Sequence, residues 1–200
     1  MLSPIFVVLL AALAYYQASN LLKFRKYIYP GVWIFVVLGV VLADKPFMLP
    51  LTKGYLGFAF WYVVMMTGAI NPKWKLTAKL KAVRGVYSVM GFILLLPHPL
   101  RYAAEVLSAQ REFPIFGVVA FAIMVPLFIT SYMVIRTKMK ATDWKKLQSL
   151  AYISYGLIFI HLIVRATTPI NRILAIVMGI IYVGLKIQFE LNKRSLKHTA

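Results

Sequence analysis

Apolar residues run along this chain in long blocks, interrupted by short basic clusters. The blocks approach the length of helix that crosses a bilayer, about 20 residues. Seven are read from the pattern: residues 2–22, 28–43, 54–70, 85–104, 116–135, 148–164 and 169–185. The second and third are near the short limit. No period-two alternation runs through them, so a β-barrel is not expected. The pattern predicts an all-α polytopic membrane helical bundle of about six to seven transmembrane helices. Residues 1–200 then form a single integral-membrane domain. The first block has no positive stretch ahead of it and carries its charges behind it. It is therefore read as a retained helix rather than a cleaved signal peptide.

Composition supports that reading. Of the 200 residues, 62% are hydrophobic and 14% charged, against about 45–50% and about 25% in soluble domains. Mean hydropathy is +0.79. The net charge of +18 does not make the chain a nucleic-acid binder. On a hydrophobic chain, lysine and arginine more often mark cytoplasmic loops. With no cysteine present, disulfides, thiolate catalysis and Cys-ligated zinc or iron–sulfur centres are excluded. The five acidic residues, Asp44, Glu105, Glu112, Asp143 and Glu190, are widely spaced, which speaks against a carboxylate-rich metal site.

Charge then assigns sides. Alternate connections, from Lys23, Arg25 and Lys26 through to the C-terminal Arg194 and Lys197, hold 17 of the 23 basic residues. The opposite connections hold only Lys45, Lys53, Arg101, Arg111, Arg165 and Arg172. The positive-inside rule puts the C-terminus in the cytoplasm, and seven spans put the N-terminus outside. The Lys73–Arg84 segment reads as a solvated basic loop or, alternatively, an amphipathic stretch on the inner surface. There is no Gly-rich phosphate cradle and no room for a nucleotide-binding domain.

Two of the three histidines fall within apolar spans, where an ionisable residue is a functional candidate. His98 lies about 14 residues along the fourth span and His161 lies 13 along the sixth. Both spans start inside, so both imidazoles are expected roughly 20 Å from the inner boundary. Two imidazoles at one depth on different helices suit axial ligation of a haem iron. Arg101 and Arg165 follow their histidines by three and four residues, about one helical turn toward the outer side. Arg172 opens the next span. Arginine pairs with carboxylates such as haem propionates. Tyr102, Tyr152, Tyr155, Phe92 and Phe159 are candidates to pack near a porphyrin, although plain bundle packing explains them as well. Pro97 and Pro99 bracket His98 and predict a kink or a helix end there. A buried histidine also serves simply to hydrogen-bond a neighbouring helix. The matched depth and flanking arginines favour the ligand reading.

Residues 114–166 resemble the ferric reductase-like transmembrane family, and within it the MsrQ-like haem-bearing membrane subunits. The resemblance is carried by Thr130-Ser131, Arg136, Lys138, the run Trp144-Lys145-Lys146-Leu147-Gln148, Tyr152, and the stretch from Tyr155 to His161. With a weaker likeness over the preceding helices it covers residues 52–190, which would be the ferric reductase-like haem-binding helical core. The family commonly places two histidines on each of two helices, 13 or 14 residues apart, for an inner and an outer haem. The outer pair corresponds to His98 and His161. At the inner positions stand Arg84 and Gln148, so the resemblance implies one outer haem b and a lost inner one.

The resemblance thus implies a membrane b-type cytochrome. Electrons would come from a membrane quinol or a flavin carrier and pass to an extracytoplasmic acceptor, such as a reductase subunit or ferric iron. The competing reading is a haem-free membrane protein of the same fold, acting as a transporter or an assembly partner. Lipid- or polyprenol-handling enzymes commonly need Asp-rich or His/Asp clusters, and none is found.

Overall fold

The computed structural model describes residues 2–198, and among them there are helices and turns but no strand. Helix α1 spans Ser3–Val41, α2 Leu49–Thr52, α3 Tyr55–Met66, α4 Lys75–Leu95 and α5 Pro97–Leu107. They are followed by α6 Ile115–Ile129, α7 Met133–Arg136, α8 Ala141–Ser149, α9 Ala151–Val164 and α10 Pro169–His198. Four stretches are long and apolar enough to cross a membrane: Ser3–Val41, Lys75–Leu107, Ala141–Val164 and Pro169–Lys193. Tyr55–Met66 and Ile115–Ile129 are shorter apolar helices.

The first two predicted spans are joined by helix rather than by a loop. A straight helix of 39 residues would be about 58 Å long. Yet the Ser3 hydroxyl donates to the Tyr55 carbonyl (3.1 Å), while Gly39 lies against the Leu51 side chain. Leu51 and Tyr55 are four residues apart, within about 14 Å even if fully extended. The axis of α1 must therefore reverse, leaving two arms. Tyr15 meets Lys75 and Tyr29 meets Tyr132, so the bend falls between Tyr15 and Tyr29. That stretch holds Lys23, Arg25 and Lys26. Pro30 follows it, and its missing N–H takes one bond from the ladder.

Helix α3 is buried from Gly57 through Met65. A helix apolar on every side belongs at the centre of a bundle, and α3 contributes to both hydrophobic clusters. One cluster joins it to α1 and α4, the other to α4, α6, α9 and α10. Small residues let its neighbours approach. A Cβ on Gly57 would meet the Leu95 backbone at 2.9 Å, and one on Gly91 would meet Phe60 and Trp61 at 2.8 Å. Close helix crossings in membranes use this device. Meanwhile, large apolar side chains such as Val8, Tyr16, Ile173 and Ile180 face outward, as a hydrocarbon solvent permits.

The Lys73–Arg84 stretch is not a loop. From Lys75 it is the first part of α4, with Thr77, Leu80 and Val83 buried. Leu80 and Val83 pack inward while Lys75 and Lys81 stay exposed. At the other end of α4 the helix breaks at Leu96 and restarts as α5 at Pro97. Prolines at 97 and 99 lack the N–H groups that would continue the ladder. The fifth block ends early at Ile129, and the last continues helical beyond residue 185.

Candidate functional site

The bundle has two chemically different ends. Lys75, the α7–α8 connection and Lys186 mark a basic end, and the break before α5 lies toward the other. There His98 sits in the first turn of α5, its direction set by the restart at Pro97. Its Nδ1–H donates to the Thr52 carbonyl, 3.2 Å away. A carbonyl only accepts, so Nδ1 carries the proton and Nε2 of the neutral ring is left as a lone-pair donor. Gly54, in the left-handed region at φ 74, backs this ring. A Cβ there would lie 3.2 Å from His98 Cγ.

His161 comes from α9, which packs along α6. The Ser154 hydroxyl bonds the Ala120 carbonyl at 3.1 Å and ties the two helices together. Three residues before Ala120, Gly117 opens the space for the His161 ring. A Cβ at Gly117 would lie 2.8 Å from both Cε1 and Nδ1. The two histidines meet with ring centroids 6.3 Å apart and planes at 75°. Both are half-buried.

Other residues singled out in the sequence are placed differently. Arg101 donates to the Ala43 carbonyl at 2.8 Å, tying α5 to the end of α1. Arg165 bridges to Glu112 at 2.9 Å. Arg172 is exposed in the first turn of α10. Of the five aromatics, Tyr102 lies against His98, edge to face at 5.2 Å. Phe92 stacks on Phe128 and Phe121, at 4.2 and 5.1 Å. Phe159 packs with Tyr182 and Phe58. Tyr152 and Tyr155 lie on α9 toward the basic end.

Sequence reading missed Thr52, Gly54 and Gly117. Nothing local to a glycine announces that a ring from another helix will cover it. It also missed how Tyr102 is held. The Lys53 ammonium donates to its hydroxyl at 2.7 Å, and the Arg111 guanidinium lies 4.4 Å over its ring, a cation–π contact.

At the inner positions, Gln148 donates to the Leu127 carbonyl and the Thr130 hydroxyl, both at 3.3 Å. Trp144 Nε1 donates to the Thr130 carbonyl at 3.1 Å, and Arg136 covers the Trp144 ring at 4.1 Å. Arg84 lies close enough to Tyr155 to act on it electrostatically. Among the described residues no group of three or more His, Cys, Asp or Glu side chains gathers to hold a metal ion.

No family model matches the chain, and no solved structure matches it. Over 165 residues it is 27% identical to an uncharacterized protein of Treponema pallidum (strain Nichols). That similarity covers 72% of this chain and 46% of the relative, so the chain spans about half the relative's length.

Proposed function

We propose that the chain is a membrane b-type cytochrome of the ferric reductase-like kind, holding one haem between His98 and His161. The observation that carries this is the imidazole pair itself. Two imidazoles that would hold one haem iron must come from different helices and lie within a few ångströms of a shared point. The observed separation is 6.3 Å, with Nδ1 of His98 engaged by backbone so that Nε2 is free. A hydrogen bond from the far ring nitrogen is the usual way to orient a ligating histidine. A bare metal ion would find only these two side chains, whereas haem brings its own equatorial nitrogens. The donor set therefore fits haem better than a free ion.

When bound, haem supplies one-electron storage. The chain's own residues hold and orient it. Thr52 fixes the His98 tautomer, Gly54 and Gly117 admit the rings, and Tyr102 packs against His98 under Lys53 and Arg111. Arg101, Arg165 and Arg172 are the cations nearest in sequence for propionates, and Arg165 would exchange Glu112 for one. In this reading the chain crosses the bilayer seven times, counting both arms of α1. The basic end and the C-terminus face the cytoplasm, and the histidines lie toward the outer leaflet. Electrons arrive from a quinol or flavin carrier and leave to an extracytoplasmic acceptor.

The test is a dithionite-reduced minus oxidised absorption spectrum of protein purified from membranes, with a pyridine haemochrome assay for stoichiometry. The expected result is a b-type spectrum at one haem per chain. A protein without haem that also fails to take it up on reconstitution sinks the assignment. It would favour the haem-free transporter or assembly role, in which Arg101 and Arg165 keep the partners described above.

A further inference from the structure

The connection between α6 and α9 carries a guanidinium that the haem reading does not use. Arg136 ends α7, and its backbone N–H donates to the Tyr132 carbonyl at 2.9 Å. Its guanidinium lies over the Trp144 ring at 4.1 Å. Trp144 is fixed in turn, because its Nε1–H donates to the Thr130 carbonyl at 3.1 Å. One face of the guanidinium is thus held by a ring that is itself anchored, and its N–H edges stay open to a partner. Arg136 is exposed and forms no ion pair among the described residues.

Its surroundings are cationic and apolar at once. Between residues 130 and 150 stand five basic residues, Arg136, Lys138, Lys140, Lys145 and Lys146, against one acid, Asp143. Asp143 accepts a bond from the Thr142 hydroxyl at 3.4 Å. Tyr29 of α1 meets Tyr132, the residue that caps α7, so the bend that carries Arg25 and Lys26 lies at this same end. Immediately before Arg136, Met133, Val134 and Ile135 are all exposed, Val134 to 72%. The apolar helices on either side stop at Ile129 and resume at Ala151. The connection therefore lies where hydrocarbon gives way to headgroups, the level at which tryptophan is enriched.

We propose that the α7–α8 connection binds the phosphate of an anionic phospholipid on Arg136, with Lys138 and Lys140 beside it and the acyl chains against Met133, Val134 and Ile135. Arginine meets a phosphate with two parallel N–H bonds. Because the Trp144 ring already orders the side chain, less conformational freedom is lost on binding. Basic clusters next to a membrane span recognise anionic headgroups. The surplus of cations selects against a zwitterionic lipid, whose ammonium it repels. The exposed apolar residues select a lipid over free phosphate, which would leave them uncovered. A surplus of lysines alone marks only a side of the membrane, whereas a guanidinium held on an anchored indole marks a point. This binding does not rest on the cytochrome reading.

The test uses the full chain in a neutral maltoside detergent, titrated with dioleoyl phosphatidylglycerol or dioleoyl phosphatidylcholine. Native mass spectrometry counts the lipid retained per chain. Phosphatidylglycerol should be retained at concentrations where phosphatidylcholine is not. Arg136→Gln should weaken that binding by roughly ten-fold or more, the loss of a charge-assisted hydrogen bond. Trp144→Phe, which frees the guanidinium from its anchor, should weaken it less. Lys75→Gln removes a cation at the same end that lies over Tyr15, and should leave it unchanged. Helix content is read on every variant and should not move. Equal retention of the two lipids overturns the proposal, as does an unchanged affinity in Arg136→Gln. An equal loss in Lys75→Gln overturns it in favour of a diffuse field. Displacement by excess inorganic phosphate overturns it in favour of a soluble phosphate ligand, and displacement by poly-glutamate in favour of an acidic protein segment.

Discussion

The two ends of the α4–α5 and α9 pair hold the same kinds of elements and reach opposite outcomes. At one end two imidazoles from different helices meet edge to face, with a glycine against each ring. At the other, the equivalent positions are Arg84 and Gln148. Arg84 reaches Tyr155, and Gln148 is satisfied by Leu127 and Thr130. Phe128, between those two anchors in sequence, stacks on Phe92. A polar residue in a bundle is either spent on its neighbours or left available. The His98 ring is spent on one nitrogen only, whereas Gln148 donates to Leu127 and Thr130 at the end of α6 and its end of the bundle is filled by stacked aromatics.

The sharpest way to break this contrast is to remove an imidazole. His98→Ala or His161→Ala should abolish haem binding, read by the haemochrome assay. Full retention of haem in both variants would leave the pair as mere packing. Next in size is Gly117→Ala. The added methyl overlaps the His161 ring, and overpacking costs about 1–3 kcal/mol, roughly a five- to 150-fold loss of haem retention. Unchanged occupancy and spectrum would show that the ring has room the structure does not give it.

The converse experiment acts at the basic end. Arg84→His with Gln148→His places a second pair of imidazoles at this end, yet haem should stay at one per chain because the stacked aromatics remain. A second haem would show that ligand loss alone, rather than filled space, separates the two ends. The smallest effect is expected from Thr130→Val. It removes one acceptor from Gln148, for about 0.5–1.5 kcal/mol, and should lower thermal stability slightly without touching the haem spectrum. A change in that spectrum would mean the two ends are coupled.

Much of this was legible in the residues. The apolar blocks reported the helices, and counting along two of them put His98 and His161 at one level before any contact was known. Pro97 announced the break that creates α5. The Lys73–Arg84 stretch misled because its lysines suggest a solvated loop. The spacing of Thr77, Leu80 and Val83 is the helical signal that the charge obscured. The partners of the arginines were not legible. Helical spacing placed Arg101 and Arg165 near their histidines, but long side chains reach whatever acceptor is closest in space. For these two that was the Ala43 carbonyl and Glu112.

What the sequence by itself determined is therefore the helical, membrane-suited character of the chain and how far along their helices its ionisable residues lie. Both follow from hydropathy and from a rise per residue that is the same in every α-helix. Tertiary structure alone decided that α1 folds back on itself and that the two imidazoles come into contact. It also decided that Gly54 and Gly117 make room for them. These depend on how each helix is rotated against neighbours distant in the chain, and no local pattern encodes that rotation.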